Sequence, residues 1–147
     1  MTEDNCYRAL VIDGEPPLRS LVCRALNREG FACDATGDGL EAKRLIASNR
    51  YDLVVTDLRI PKRHGHALAA ELLGRPQRPV VAILTGLLEP RLAGDLIARG
   101  VDCFECKPVN YELFAAKLAA LVWRRRARRD DAPAPQRWAM ISVHGVL

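Results

Sequence analysis

The chain has 147 residues, of which 49% are hydrophobic, and carries a formal net charge of +4. This length suffices for one domain with a full hydrophobic core, and no unbroken apolar run approaches the roughly 20 residues that a membrane helix needs. The first five residues are polar and acidic, unlike a signal peptide, and the five cysteines are odd in number. We therefore expect a cytoplasmic protein with reduced thiols and no membrane partner.

The positive charge is confined to one end of the sequence. Residues 1–123 hold 16 of the 22 basic and 16 of the 18 acidic residues, so the whole excess lies in residues 124–147. An arginine cluster over residues 124–129 precedes an Ala-Pro-Ala-Pro stretch, which indicates a solvated helix end followed by a stiff linker. We predict a domain over residues 1–123 and a basic, proline-containing tail or linker over 124–147. The tail is too short for a helix-turn-helix, so direct nucleic-acid binding is not expected.

Five short apolar runs alternate with five amphipathic segments. The apolar runs predict strands over residues 8–12, 31–35, 53–56, 80–84 and 101–106. Each is followed by apolar positions at helical spacing, and Gly30, Gly74 and Gly100 are placed to end the first, third and fourth helices. The positions predicted to face the core include Leu21, Leu40, Ile97 and Leu113. Right-handed crossovers then predict an α/β fold with a doubly wound parallel sheet.

Polar side chains stand where four of the predicted strands end. Asp13 follows the first strand and Asp57 the third, while Thr85 and Lys107 follow the fourth and fifth. The carboxyl ends of parallel strands meet at one edge of a sheet, where ligands bind in open α/β folds. An Asx turn or a helix cap is the alternative interpretation of Asp57.

The chemistry of these four residues is coherent. Two carboxylates, Asp13 and Asp57, are the ligands that Mg²⁺ prefers, and Mg²⁺ shares its shell readily with phosphate oxygens. A lysine ammonium and a threonine hydroxyl, from Lys107 and Thr85, suit the remaining oxygens of a phosphoryl group. Asp57 would then be the nucleophile that forms an aspartyl phosphate.

With these features the chain resembles the receiver domain of two-component response regulators, over about residues 8–123. The motifs that carry the resemblance are Val11-Ile12-Asp13-Gly14-Glu15-Pro16, Val55-Thr56-Asp57-Leu58-Arg59-Ile60-Pro61, Gly65, Ile83-Leu84-Thr85-Gly86 and Phe104-Glu105-Cys106-Lys107-Pro108. The resemblance implies a flavodoxin-like (βα)5 three-layer sandwich with strand order 2-1-3-4-5. It also implies a protein that is not an enzyme beyond self-catalysed phosphoryl transfer and autodephosphorylation.

The resemblance assigns roles to individual residues. Asp57 accepts a phosphoryl group from a sensor histidine kinase or phosphotransfer protein, with Lys107 and Thr85 on the phosphate. Thr85 and Phe104 form a switch pair in which Thr85 moves toward the phosphate and Phe104 turns inward. Mg²⁺ is held by Asp13, Asp57 and the main-chain carbonyl of Arg59. The Lys107-Pro108 peptide is typically cis, and the fourth helix, fifth strand and fifth helix form an output or homodimer surface with a partner that the sequence does not identify.

One position departs from the family pattern. Family members carry two adjacent acids after the first strand, and here Gly14 stands in place of the second, which predicts a weakened metal site. Glu15 is not an obvious substitute, because a glutamate is common there even when both acids are present. Two alternatives remain: a degenerate receiver that binds proteins without phosphorylation, and a flavin or nucleotide site, which lacks the expected glycine-rich loop.

Two further pairs of metal-ligating residue types are separate from this edge. Cys103 and Cys106 have CxxC spacing, but an odd separation on a strand directs their sulfur atoms to opposite faces. His64 and His66 flank Gly65 and are interpreted as solvated loop histidines, since two ligands without a third make a poor metal site.

Overall fold

The computed structural model describes residues 6–61, 64–87 and 89–131. Its strands are β1 (Tyr7–Ile12), β2 (Phe31–Thr36), β3 (Leu53–Thr56), β4 (Val80–Thr85) and β5 (Cys103–Cys106). They form one parallel sheet in the order β2-β1-β3-β4-β5, which confirms the predicted topology. The helices are α1 (Pro16–Arg28), α2 (Gly39–Ser48), α3 (Gly65–Leu73), α4 (Pro90–Ala98) and α5 (Tyr111–Asp131).

Helices cover both faces of the sheet. On one face, Val22 of α1 and Leu118 of α5 pack with alternate residues of the central strands, and on the other face Ala42, Leu68 and Leu96 bring in α2, α3 and α4. Every residue of β3 and β4 is buried, which explains why these strands are continuous apolar runs rather than alternating ones. The sheet therefore has two cores and leaves only its strand ends to carry polar chemistry.

Four residues predicted to face the core are exposed instead. The exposed fractions are 39% for Leu21, 49% for Leu40, 61% for Ile97 and 69% for Leu113. Successive helical residues are about 100° apart, so a helix that buries Leu96 or Phe114 turns the adjacent apolar side chain away from the sheet. The prediction was wrong at these four positions because it assigned too wide an apolar face of each helix to the core.

Helix α5 continues through the arginine cluster to Asp131, past the boundary predicted at residue 123. Arg125 pairs with Asp102 at 2.7 Å and donates to the Arg78 carbonyl at 3.1 Å, while the Arg126 guanidinium lies 4.8 Å from the Tyr7 ring centre. The interpretation of the whole cluster as a solvated helix end was therefore wrong. The division at residue 123 stays a prediction, and the proline linker lies outside the described residues.

The two other predicted pairs are also placed. His66 lies in α3, not in a loop, and its Nε2 is 2.7 Å from a carboxylate oxygen of Asp95 in α4, whereas His64 is the exposed residue before α3. Cys103 is buried in the core on the α1–α5 face, whereas Cys106, at the end of β5, is exposed. The described ranges hold no helix that is both long and apolar enough to span a membrane.

Candidate functional site

The register of the sheet brings four strand ends together. The main-chain amides of Asp13 and Asp57 each add one hydrogen bond to the end of the parallel sheet. The Asp13 amide donates to the Thr36 carbonyl at 3.0 Å, and the Asp57 amide donates to the Ile12 carbonyl at 2.9 Å. The amide of Lys107 donates to the Thr85 carbonyl at 2.8 Å. Parallel pairing thus fixes the backbone of all four predicted residues at the same edge.

The Asp57 carboxylate is held on both oxygens. Lys107 Nζ donates to Oδ2 at 2.8 Å, while Thr85 Oγ1 and the Arg59 amide donate to Oδ1 at 2.7 and 3.1 Å. Burial alone would raise the pKa of Asp57, but the hydrogen bonds from Lys107, Thr85 and Arg59 outweigh it and lower the pKa. Asp57 is therefore an ionised carboxylate at neutral pH, as a nucleophile must be.

Lys107 is the cation at the centre of the site. Its ammonium lies 2.8 Å from Asp13, 2.8 Å from Asp57 and 3.4 Å from Glu15, and its side chain is only 11% exposed. Burial would lower the pKa of Lys107, yet its hydrogen bonds to Asp13 and Asp57 raise it above the ordinary value. One ammonium thus faces three carboxylates, so these four side chains together carry a net negative charge.

The residues present fit a hard divalent cation. Asp13, Glu15 and Asp57 offer carboxylate oxygens that all lie within 4.8 Å of one another. Oxygen ligands with excess negative charge are the donor set that Mg²⁺ takes. Glu15, which sequence reasoning set aside, is therefore part of this group. Its position beside Gly14 gave no signal that its 65% exposed side chain turns toward the site.

Gly14 leaves open space at the site. A Cβ atom built there would meet only the Pro61 Cδ, at 3.7 Å, which is ordinary van der Waals contact. Gly14 borders an open pocket of about 350 Å³, and no crowding keeps a larger side chain out. The other residues that line the pocket are Asp13, Glu15, Asp57, Arg59, Gly86 and Leu87.

Gly65 has the opposite environment. A Cβ atom built at this residue would lie 1.8 Å from the carbonyl oxygen of Asp57, which no side chain could tolerate. The absence of a side chain lets the start of α3 lie against the backbone that follows β3, and the Gly65 amide donates to the Leu58 carbonyl at 3.1 Å. This contact fixes the main chain that presents Asp57.

The two residues predicted as a switch pair lie on neighbouring strands. Thr85 is fully buried, donates to Asp57, and accepts a bond from the Leu87 amide at 3.1 Å. Phe104 pairs with Ile83 in the register of β4 and β5, and its half-buried ring packs against the core on the α2–α4 face. The Lys107-Pro108 peptide is cis.

Comparisons with known proteins agree with this geometry. The chain is 34% identical over 130 residues to the transcriptional regulatory protein TcrA of Mycobacterium tuberculosis, covering 87% of this chain and 49% of the relative. It is 32% identical over 128 residues to the response regulator MprA of Mycobacterium sp. strain KMS, covering 86% and 54%. The chain therefore spans about half the length of these relatives.

Solved structures share the fold at lower identity. A CheY-like receiver domain protein from Methanospirillum hungatei aligns with a TM-score of 0.78 at 19% identity, over 84% of this chain and 99% of that one. A receiver domain from Vibrio parahaemolyticus aligns with a TM-score of 0.77 at 22% identity, over 84% and 95%. The family described as the response regulator receiver domain matches residues 9–119. The chain belongs to this family of phosphoryl-accepting signal-transduction domains.

Proposed function

We propose that Asp57 is the phosphoacceptor of this receiver domain, and that its phosphorylation alters a protein-binding surface. The observation that carries the proposal is the Asp57 carboxylate itself, buried at a strand end yet ionised and contacted by Lys107 and Thr85. A group held only as an Asx turn or helix cap would not require a buried ammonium on its second oxygen. The phosphodonor is a histidine kinase or a phosphotransfer protein that carries a phosphohistidine.

The transfer balances with the groups present. An Asp57 oxygen attacks phosphorus, forms a P–O bond and breaks the P–N bond of the phosphohistidine, whose electron pair returns to the imidazole nitrogen. Lys107 lies 2.8 Å from the attacking carboxylate and would offset the charge of the phosphoryl oxygens. Thr85 would exchange its bond to Asp57 for one to a phosphoryl oxygen. These steps require positioning and charge neutralisation rather than a separate catalytic base.

We further propose that Mg²⁺ assists this transfer. Asp13, Asp57 and the Arg59 carbonyl would hold it, and Glu15 would supply the oxygen that Gly14 lacks. When bound, the ion neutralises the charge that gathers on the phosphoryl oxygens. Without it, the three clustered carboxylates would repel an incoming phosphate, and Lys107 alone would have to offset them.

The switch would couple phosphorylation of Asp57 to a change in packing at β4 and β5. Moving the Thr85 hydroxyl to the phosphoryl group breaks its bond to Asp57 and allows Phe104, on the adjacent strand, to pack inward. We propose that this shifts the population of two packed states of the surface formed by α4, β5 and α5. That surface is where an output partner or a second copy of the chain would bind.

The test is phosphorylation of the purified chain by a small-molecule phosphodonor, acetyl phosphate, with and without Mg²⁺. We expect an intact-mass gain of one phosphoryl group that depends on Mg²⁺ and is removed by hydroxylamine, which cleaves acyl phosphates. Asp57→Asn keeps the shape of the side chain and its bond-accepting oxygen, so it should fold normally and incorporate no phosphate.

A matched variant controls for a general loss of carboxylate. Asp34→Asn changes a carboxylate that bonds to Tyr51 and Arg8 outside the pocket, so its phosphorylation should equal that of the unmodified chain. Incorporation that persists in Asp57→Asn would show a different acceptor. A folded wild-type chain that neither binds Mg²⁺ nor gains mass would overturn the switch and favour the phosphorylation-independent binding module that Gly14 suggests.

A further inference from the structure

A second reactive site lies between α1 and β2, away from the phosphorylation pocket. Cys23 of α1 and Cys33 of β2 both pack against the same core cluster, and both are half-buried. The Cys33 sulfur is 3.9 Å from the Cys23 carbonyl oxygen. Because Phe31 and Cys33 are two residues apart on one strand, they share the face that α1 covers, and this alternation directs Cys33 at the helix. The two thiols are therefore neighbours in space although ten residues separate them.

The two sulfur atoms have unequal acidities. A hydrogen bond from the Cys33 thiol lowers the pKa of Cys23, and the Arg19 guanidinium on the same helix lowers it further against the opposing effects of burial and Asp34. The same bond, together with burial, raises the pKa of Cys33. In such a pair, Cys23 is the more acidic thiol, and Cys33 is the neighbouring thiol that keeps its proton more tightly.

The surroundings favour a pair rather than a metal centre. The only group of three or more clustered metal-ligating side chains among the described residues is the carboxylate group at the pocket. The charge of Cys6 also raises the pKa of Cys33, but the Cys6 sulfur bonds to the carbonyl oxygens of Tyr7 and Gly30. The pair is thus available for reaction with itself.

We propose that Cys23 and Cys33 form an oxidisable dithiol, a modification site at which hydrogen peroxide produces a disulfide between α1 and β2. The Cys23 thiolate attacks the peroxide, the O–O bond breaks, and the hydroxide that leaves is protonated to water. Cys33 then attacks the resulting sulfenic acid, forming the S–S bond and releasing a second water with the Cys33 proton. Two electrons pass from the sulfurs to one peroxide.

The disulfide has a structural consequence near the pocket. Helix α1 begins at Pro16, immediately after Glu15, and the bridge would fasten the middle of this helix to the edge strand. A covalent link between two elements stabilises the folded state by restricting the unfolded chain. Oxidation is therefore expected to raise the thermal midpoint of the chain, and a reductant is expected to reverse the increase.

The test treats the full chain with hydrogen peroxide, then alkylates all remaining thiols with N-ethylmaleimide in denaturant. Intact mass should show that two of the five cysteines escape alkylation, with a loss of two hydrogen atoms that dithiothreitol restores. Peptide mapping should identify a Cys23–Cys33 crosslink. Because mapping uses the unmodified chain, the result does not depend on a variant that folds.

Matched serine variants locate the reaction. Cys23→Ser and Cys33→Ser should each abolish the crosslink and the oxidation-dependent rise in thermal midpoint. Cys106→Ser, which changes an exposed thiol elsewhere, should leave both unchanged. A crosslink that maps to Cys6, or a chain that keeps five alkylated cysteines after peroxide, would overturn the proposal.

Discussion

The two ends of the sheet hold ion clusters of opposite composition. At the carboxyl end of the sheet, the single ammonium of Lys107 forms ion pairs with Asp13, Asp57 and, at a longer distance, Glu15. At the amino end of β5, the single carboxylate of Asp102 serves two guanidinium groups, from Arg78 at 2.8 Å and Arg125 at 2.7 Å. One cluster has excess negative charge and the other has excess positive charge.

This difference separates the proposed phosphorylation site from an ion cluster that has only a structural role. Asp102 is 15% exposed and also accepts a bond from the Val81 amide at 2.9 Å, so it ties the end of α5 to β4 and the chain before β5. The carboxyl-end cluster opens into a pocket and groups three carboxylates closely enough to share a cation. Each end should therefore be most sensitive to the loss of its single central charge.

The largest effect is expected at the amino end. Asp102→Ala leaves the Arg78 and Arg125 guanidiniums half-buried without their acid and the Val81 amide without its side-chain acceptor. Removing one partner of a buried ion pair costs about 3–5 kcal/mol of unfolding free energy. Urea unfolding measures this loss as a lower midpoint, with an unchanged dependence of the unfolding free energy on urea concentration.

Removing a peripheral charge from the same cluster serves as the control. In Arg125→Met, Asp102 keeps Arg78 and Val81, and the methionine keeps much of the apolar stem, so we expect a loss of about 1 kcal/mol. Equal losses for Asp102→Ala and Arg125→Met would show that Asp102 is not the centre of this cluster.

The mirror-image change at the carboxyl end is Lys107→Met. It leaves the buried Asp13 and Asp57 carboxylates without a cation, and we expect a loss of about 2–4 kcal/mol at neutral pH without metal. Since the proposed Mg²⁺ site exists only in the folded state, adding the ion should recover part of this loss. Urea midpoints with Mg²⁺ and with EDTA measure the recovery, and midpoints that do not respond to Mg²⁺ would contradict the metal assignment.

Much of the site at the carboxyl end of the sheet could be predicted from the sequence. The strands β3 and β4 are buried on both faces and are therefore unbroken apolar runs, and a parallel sheet gathers the residues after such runs at one edge. Asp57 and Thr85 follow from that rule, whereas Lys107 follows β5, which is only partly buried and contains Glu105. The family resemblance supplied their order and spacing, and the comparisons confirm the family.

The ion cluster at the amino end of the sheet could not be predicted in this way. Arg125 and Asp102 are 23 residues apart with no periodic pattern between them, so only the path of α5 shows that they meet. The orientation of Glu15 and the proximity of Cys23 to Cys33 depend on the packing of α1 for the same reason. Exposed apolar residues such as Leu113 were misassigned because helical spacing does not define how wide the buried stripe is.

A smaller effect is expected from restoring the missing acid. Gly14→Asp adds a fourth carboxylate where the Cβ atom meets only ordinary contact. Added ligand charge should tighten Mg²⁺ binding by about tenfold, equivalent to about 1.4 kcal/mol. Calorimetric titration with Mg²⁺ measures this, and Gly14→Asn, which adds the same shape without the charge, should bind like the unmodified chain. Equal tightening in both variants would assign the effect to shape rather than to charge.

The smallest effect is expected at a solvent-exposed counterpart of the Asp102 cluster. The Asp95 carboxylate, 38% exposed, also contacts two side chains, His66 of α3 and Arg99. Hydrogen bonds from His66 and then Arg99 lower the pKa of Asp95 below the ordinary value of 3.8. A lowered folded pKa means that the stabilisation is present above pH 3.8 and is lost as the pH falls through the folded value. Asp95→Asn should therefore lower the unfolding midpoint slightly above pH 4, with a difference that shrinks in more acidic solution. Since solvent screens exposed charges, this loss should be far smaller than that of Asp102→Ala. Losses of similar size would mean that burial is not what distinguishes the Asp102 cluster from an ordinary surface ion pair.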